Sequence, residues 1–226
     1  MHLWQVEAEQ KLIEFLSNFA EIHQIKPKGS ILDKSTLDIY SDVDFDIYLA
    51  SDSAFDLINL MKMLSQQFGT IFGYEIHNNS NSDVLRICFE NGWRFDLTFI
   101  YPTQKTLHAT DDLPEIEKVV SQFWFVTSMT LTKLGRMDYL TAAHLTLGLC
   151  QVNIVVQMLA RDEAKNTNIH RFGDKEDVPI LHDLLQLNKG NMSEKILSIL
   201  FLAAEHVDRT MRTDKLRILQ NMFDIK

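Results

Sequence analysis

Ser41-Asp-Val-Asp-Phe-Asp-Ile-Tyr-Leu49 decides how this chain is read. A strand turns successive side chains to opposite faces, so Asp42, Asp44 and Asp46 share one face while Val43, Phe45 and Ile47 share the other. The apolar face can enter a core. On the other face, carboxylates two residues apart repel one another unless a cation sits between them, and a divalent ion is the usual remedy. Gly29-Ser30 stands upstream, separated from Asp42 by residues 31–41. Glycine at a tight turn lets backbone approach a ligand closely, so a metal site beside a Gly-Ser turn reads as a phosphate-handling arrangement.

A second part of the same site can be read independently. Asp83-Val-Leu-Arg-Ile-Cys-Phe-Glu90 and Trp93-Arg-Phe-Asp-Leu-Thr-Phe99 are rich in strand formers, with Asn91-Gly92 between them. That is a hairpin signal. In the second run Phe95, Leu97 and Phe99 share one face, and Arg94, Asp96 and Thr98 the other. Asp96 joins Asp42 and Asp44 if the two strands are neighbours in one sheet. Surface strands also alternate aspartate with apolar residues for solubility, and a lone Asp-x-Asp would say little. The spaced combination says more.

At these residues the chain resembles the nucleotidyltransferase superfamily related to DNA polymerase beta. That family carries Gly-[Gly/Ser], a spacer, Asp-apolar-[Asp/Glu]-apolar and a third carboxylate on a later strand. Gly29-Ser30, Asp42-Val43-Asp44-Phe45 and Asp96 fit each element. Trp93-Arg-Phe-Asp-Leu-Thr-Phe looks like the third-carboxylate strand of antibiotic nucleotidyltransferases, particularly those modifying lincosamides and aminoglycosides. One departure is Lys28, which stands where an apolar residue commonly precedes the Gly-Ser pair. The resemblance implies Asp42, Asp44 and Asp96 as ligands of Mg²⁺, with two ions expected. It also implies Gly29 and Ser30 against the triphosphate of ATP or another nucleoside triphosphate. Asp96 has two roles open to it: metal ligand, or general base for the acceptor hydroxyl.

Composition narrows the partners. The chain has 226 residues with 22 Lys+Arg against 31 Asp+Glu, a formal net charge of −9, and no clustered cations. Polynucleotides are bound by releasing counterions onto such clusters, so a nucleic-acid substrate is not expected. A metal-bound nucleotide and a small, cationic hydroxyl acceptor suit this balance better. A homodimer is left open. Cys88 and Cys150 lack paired spacing and a histidine companion, so neither a disulfide nor zinc is expected. The N-terminal residues lack a basic segment followed by an apolar one, and Leu140–Ala160 is broken by His144, Gln151, Asn153 and Gln157. The expectation is a buried helix, no membrane span and a cytoplasmic protein.

The chain reads as α+β: an N-terminal nucleotidyltransferase α/β domain with a small mixed sheet over residues 1–107, then a C-terminal helical bundle over 112–226 that completes the substrate pocket. A first helix of about five turns covers Leu3 to Phe19. Ser51-Asp-Ser53 supplies N-cap residues for a helix over Ala54–Phe68, ended by Gly69 and Gly73. A short strand near Tyr74–His77 and the hairpin over Asp83–Ile100 complete the sheet. Later helices are expected over Pro114–Leu134, Asp138–Arg161, Pro179–Leu187 and Ser193–Arg212.

Further residues carry two readings each. Asp46 lies one step beyond the motif and suits a structural or supporting role rather than ligation. Arg94 shares the face of Asp96 and could support it or meet substrate. Lys133 either reaches the triphosphate from the helical domain, as in similar enzymes, or is a solvated lysine on its helix dipole. His170 and Arg171 lie in a polar loop, where binding residues concentrate but ordinary surface residues outnumber them. Trp93, Trp124 and Phe125 line either an acceptor pocket or a core. Two other functions share the motif: a protein-modifying or antitoxin-type nucleotidyltransferase with a macromolecular acceptor, and a catalytically silent nucleotide-binding module. The first is commonly shorter, and the second usually loses one of the three carboxylates.

Overall fold

The computed structural model describes residues 4–50, 55–103, 116–164 and 192–222. The chain divides into two compact units, Met1–Leu113 and Pro114–Lys226. The first holds α1 (Trp4–Leu16), β1 (Ile22–Lys28), a short 3₁₀ turn (Gly29–Leu32), β2 (Val43–Leu49), α2 (Leu57–Phe68), β3 (Ile71–Asn78), β4 (Ser82–Phe89) and β5 (Arg94–Ile100). The second holds α3 (Ile116–Gly135), α4 (Tyr139–Ala164), α5 (Met192–Met211) and α6 (Lys215–Met222). The fold is α+β.

The strands form one mixed sheet in the order β1-β2-β5-β4-β3, with β2 and β5 parallel and every other pair antiparallel. One face is apolar. Phe45, Ile47, Leu85, Ile87, Phe95, Leu97 and Phe99 are buried there under Ala8, Leu12 and Leu16 of α1 and Leu57, Leu60, Leu64 and Phe68 of α2. Those helix positions recur every three or four residues, the spacing of a single helical face. Burying a large aliphatic or aromatic side chain stabilises by roughly 1.5–3 kcal/mol, so this layer dominates the unit's stability.

Local chemistry sets the boundaries, and several differ from the sequence reading. α1 is shorter than expected and ends at Leu16. α2 starts at Leu57, because Asp56 is its N-cap and accepts from Asn59 N at 2.9 Å; residues 51–54 lie outside those described. Gly69 ends α2, whereas Gly73 sits inside β3. β1 was not expected as a strand. Only Ile22 and Ile25 are apolar in it, and Pro27 cannot donate to a ladder; at a sheet edge neither is a handicap.

The hairpin is longer than a two-residue Asn-Gly turn. Phe89 N donates to Trp93 O at 2.9 Å, closing the three residues Glu90-Asn91-Gly92, with Gly92 at φ 85°. A positive φ at the last loop position is the usual form of a three-residue hairpin connection. The extra residue matters to the site. A two-residue turn would pair Glu90 with Trp93 and set Asp96 opposite Ile87, mixing the polar and apolar faces. The observed turn instead pairs Asp96 with Arg86.

In the second unit α3, α4 and α5 pack on one another. Thr127, Ser128, Thr130 and Thr132 are buried on α3, and their hydroxyls donate to carbonyls three or four residues back at 2.7–2.9 Å. Local bonds of this kind let a helix bury hydroxyls without interhelical partners. α4 is by length and composition able to cross a membrane, and 33% of its most apolar window is buried within the protein. It carries His144, Gln151, Asn153 and Gln157, of which Asn153 is fully buried and accepts from Gln157 Nε2 at 2.9 Å. α6 was missed in the sequence because its start depends on a side chain: Asp208 Oδ1 accepts from Lys215 N at 2.8 Å. The expected helix Pro179–Leu187 lies outside the described residues.

Candidate active site

The polar face of the sheet carries a row of charged side chains. Cross-strand pairing places Lys28 opposite Asp44, Asp44 opposite Asp96, Asp96 opposite Arg86 and Arg86 opposite Glu75. Five strands thus each contribute one residue to a line across the sheet. Adjacent strands are about 4.8 Å apart, so each neighbour along the line is within side-chain reach.

Asp44 lies at the centre. Its carboxyl is pushed up to about 7, first by burial and then by the charges of Asp42 and Asp96, with Lys28 and Arg86 opposing. Asp96 is also raised, chiefly by burial, against the charge and hydrogen bond of Arg86. Crowded acids with raised pKa values are electrostatically frustrated, and a cation relieves that frustration. Among the described residues no three acidic, histidine or cysteine side chains converge as a preformed cation cage. Mg²⁺ does not require one, since it is typically bound by one or two carboxylates with phosphate and water oxygens completing the octahedron. Asp42 and Asp44 therefore fit such an ion.

Gly29 closes the site from one side. Its φ is 66°, and a Cβ added there would run into Asp44, with Oδ2 nearest and the carboxyl carbon at 3.1 Å. Both the left-handed backbone and the close approach require glycine. Gly29 opens the 3₁₀ turn that carries Ser30, and the buried Ile31 anchors it. The loop from this turn to Asp42 is held by α1: Gln5, fully buried, donates to Asp38 O at 2.6 Å and Ser41 O at 3.0 Å. Arg94, also buried, donates through Nη2 to Tyr40 O. It thus supports the segment leading into Asp42.

Two cations flank the acids. Lys28 Nζ lies 2.7 Å from Asp46 Oδ1 and donates to Thr98 Oγ1 at 2.9 Å. Asp46 is thereby engaged with a lysine, in keeping with a supporting role. On the far side Arg86 Nε donates to Asp96 Oδ2 at 3.0 Å while Nη1 meets Glu75 Oε2 at 3.3 Å; His77 Nε2 lies 3.1 Å from the same Glu75 oxygen. Arg86 and Glu75 were not singled out from the sequence, where Lys28 stood only as a departure from the motif and Thr98 only as a residue on the face of Asp96. Their signal was the strand alternation: once Asp96 is placed on the polar face, Arg86 follows from the hairpin register.

The remaining candidates lie on other elements of the chain. Lys133 stands in the last turn of α3, in the second unit; the carboxyl of Asp138, the residue preceding α4, is held below its ordinary range first by hydrogen bonds from Thr141 and only then by the charge of Lys133. Trp93 stacks on Trp4 with ring centroids 5.6 Å apart and packs against the apolar layer. Trp124 and Phe125 are buried in the helical unit. All three aromatics are packing residues. His170 and Arg171 lie outside the described residues. Cys88 and Cys150 are buried free thiols, and burial raises Cys150 to about 11.

No family model matches the chain, and no curated protein does. Among solved structures it is similar to an aminoglycoside 6-adenyltransferase from Bacillus subtilis, covering 100% of this chain and 93% of that one at 13% identity and a TM-score of 0.33. It is also similar to a STING-associated CdnE c-di-GMP synthase from Capnocytophaga granulosa, covering 97% and 79% at 12% identity and a TM-score of 0.27. Likeness at this level decides neither fold nor chemistry; the geometry of the site must do so.

Proposed function

We propose that the protein is a metal-dependent nucleotidyltransferase that moves a nucleoside monophosphate, AMP from ATP in the first instance, to a hydroxyl of a small molecule. The observation that carries this reading is the parallel register setting Asp44 directly opposite Asp96, with Gly29 packed on Asp44. That arrangement supports reading Asp44 as a cation-holding carboxylate, Asp96 as a proton acceptor and the Gly29 turn as a phosphate-accommodating one, all on one sheet face.

In the proposed reaction the acceptor oxygen attacks the α-phosphorus in line. The bond from that phosphorus to the oxygen bridging to the β-phosphate breaks, and pyrophosphate leaves. Two Mg²⁺ ions would neutralise charge on the entering and leaving oxygens. Asp42 and Asp44 would hold them, Gly29 and Ser30 would meet the triphosphate, and Asp96 would take the hydroxyl proton. Lys133 would add a contact to the phosphates, and the helical unit would complete an acceptor pocket. A lincosamide or an aminoglycoside is the acceptor class the motif favours, and the protein would act as a cytoplasmic enzyme.

The test is a screen of the purified protein with Mg²⁺ and each of four α-³²P nucleoside triphosphates against lincosamides and aminoglycosides. The expected result is label on one acceptor class with stoichiometric pyrophosphate. Label on a co-purifying protein instead would move the acceptor to the macromolecular class.

A further inference from the structure

The three aspartates are not equivalent in their surroundings. Asp42 immediately precedes β2 and Asp44 is its second residue, and of the two acidic neighbours of Asp44, Asp42 is the stronger influence. Asp96 has a different companion. Its Oδ2 accepts from Arg86 Nε at 3.0 Å, and Arg86 cannot drift away freely because its Nη1 is tied to Glu75 at 3.3 Å. Glu75 is only 12% exposed and is itself flanked by His77 at 3.1 Å. A guanidinium braced between two carboxylates is a planar, rigid donor that fixes the oxygen it holds. No three acidic side chains meet as a cation cage among the described residues.

We infer that Arg86 divides the carboxylates into two groups: by holding Asp96 Oδ2 against the β4 side, it keeps Asp96 out of the cation-binding set and leaves Oδ1 free to face an acceptor hydroxyl. This deepens the nucleotidyl-transfer reading and rests on it. Arg86 is a positioning residue, acting through Asp96. Removing Arg86 should let Asp96 turn toward Asp44 and join the metal ligands, which would tighten cation binding while slowing transfer. The opposite expectation holds if all three aspartates are ligands: Asp96 would then matter to the cation as much as Asp44 does.

Mn²⁺ alone is the probe, titrated into the full chain by electron paramagnetic resonance, with transfer measured in parallel. Asp44→Asn should weaken Mn²⁺ binding about tenfold or more, and Asp96→Asn should change it by less than about threefold. Arg86→Met should tighten it by about fivefold. That tightening should vanish in the Arg86→Met/Asp96→Asn double variant, since coupled residues are not additive. Arg86→Lys retains a cation and substitutes for Arg86→Met if the latter does not fold; it should tighten binding in the same direction. The inference is overturned if Asp96→Asn weakens Mn²⁺ as much as Asp44→Asn does. It is equally overturned if the tightening persists in the double variant, because loss of positive charge alone would then explain it. Wild-type protein that transfers nucleotide but gives either result sinks this inference only; wild-type protein that binds no Mn²⁺ sinks the metal-dependent reading with it.

Discussion

The two faces of β2 share one backbone and one register yet do opposite things. Val43, Phe45 and Ile47 are fully buried against two helices, whereas Asp44, one residue away, has its ionisation opposed first by burial and then by the charges of Asp42 and Asp96. The apolar face lowers the free energy of the fold, and the polar face holds acids in a state that is unfavourable without a cation. Stability and chemistry are therefore separable here by single substitutions on alternate residues.

The largest expected contrast lies between neighbours. Asp42→Asn or Asp44→Asn should leave the circular-dichroism spectrum unchanged while lowering transfer by about four orders of magnitude, or roughly 5.5 kcal/mol of transition-state stabilisation. Phe45→Ala should do the reverse. It should cost about 3–5 kcal/mol in urea unfolding, the scale of a large core truncation, with activity retained in whatever fraction stays folded. Were Phe45→Ala to stop transfer at temperatures where the protein remains folded, the faces would not be separable.

Asp96→Asn comes next, with kcat falling about a hundredfold and KM for the nucleotide little changed. Recovery of turnover in millimolar Mn²⁺ would make Asp96 a metal ligand. Gly29→Ala tests the turn. Its left-handed φ costs a residue with a Cβ about 1–2 kcal/mol, and the added methyl would displace Asp44. Both urea stability and transfer should fall, together rather than separately.

The smallest effect is one of pH. Asp44 is raised to about 7 in the folded, metal-free protein from an ordinary value near 3.8. The folded state then holds its proton more tightly than the unfolded chain does between those two values. Stability from this group is fully present below about pH 4 and is lost as pH rises through about 7. In chelator, Asp44→Asn should flatten that slope and be the more stable protein at pH 8. A steeper slope in the variant would mean that another group carries it.

Much of the site was legible in the sequence because strand alternation is a strict geometric rule. Asp42, Asp44 and Asp96 could be assigned to one face from residue spacing, and Gly29-Ser30 was picked out by the motif and by glycine's tolerance of close approach to a phosphate, whereas its packing on Asp44 was not legible. What the sequence did not show depended on register or on distant partners. Arg86 meets Asp96 only because Glu90-Asn91-Gly92 adds one residue to an apparent two-residue turn. β1 escaped notice because an edge strand tolerates Pro27 and needs few apolar residues. Gln5 looks like an ordinary helix residue until the loop carbonyls of Asp38 and Ser41 are placed beside it. Lys28, unusual before a Gly-Ser pair, makes sense as the partner of Asp46 and Thr98 on the edge of the charged row.

The central claim is that the polar face transfers a nucleotide through Asp44. Its most direct test is single-turnover transfer from α-³²P ATP with Mg²⁺ and the acceptor pool, wild type beside Asp44→Asn, counting both labelled product and pyrophosphate. One pyrophosphate per labelled acceptor in the wild type, and neither product in the variant, is the predicted result. Equal transfer by both proteins, or no transfer from any of the four nucleoside triphosphates by a wild-type protein that binds Mn²⁺, would contradict it.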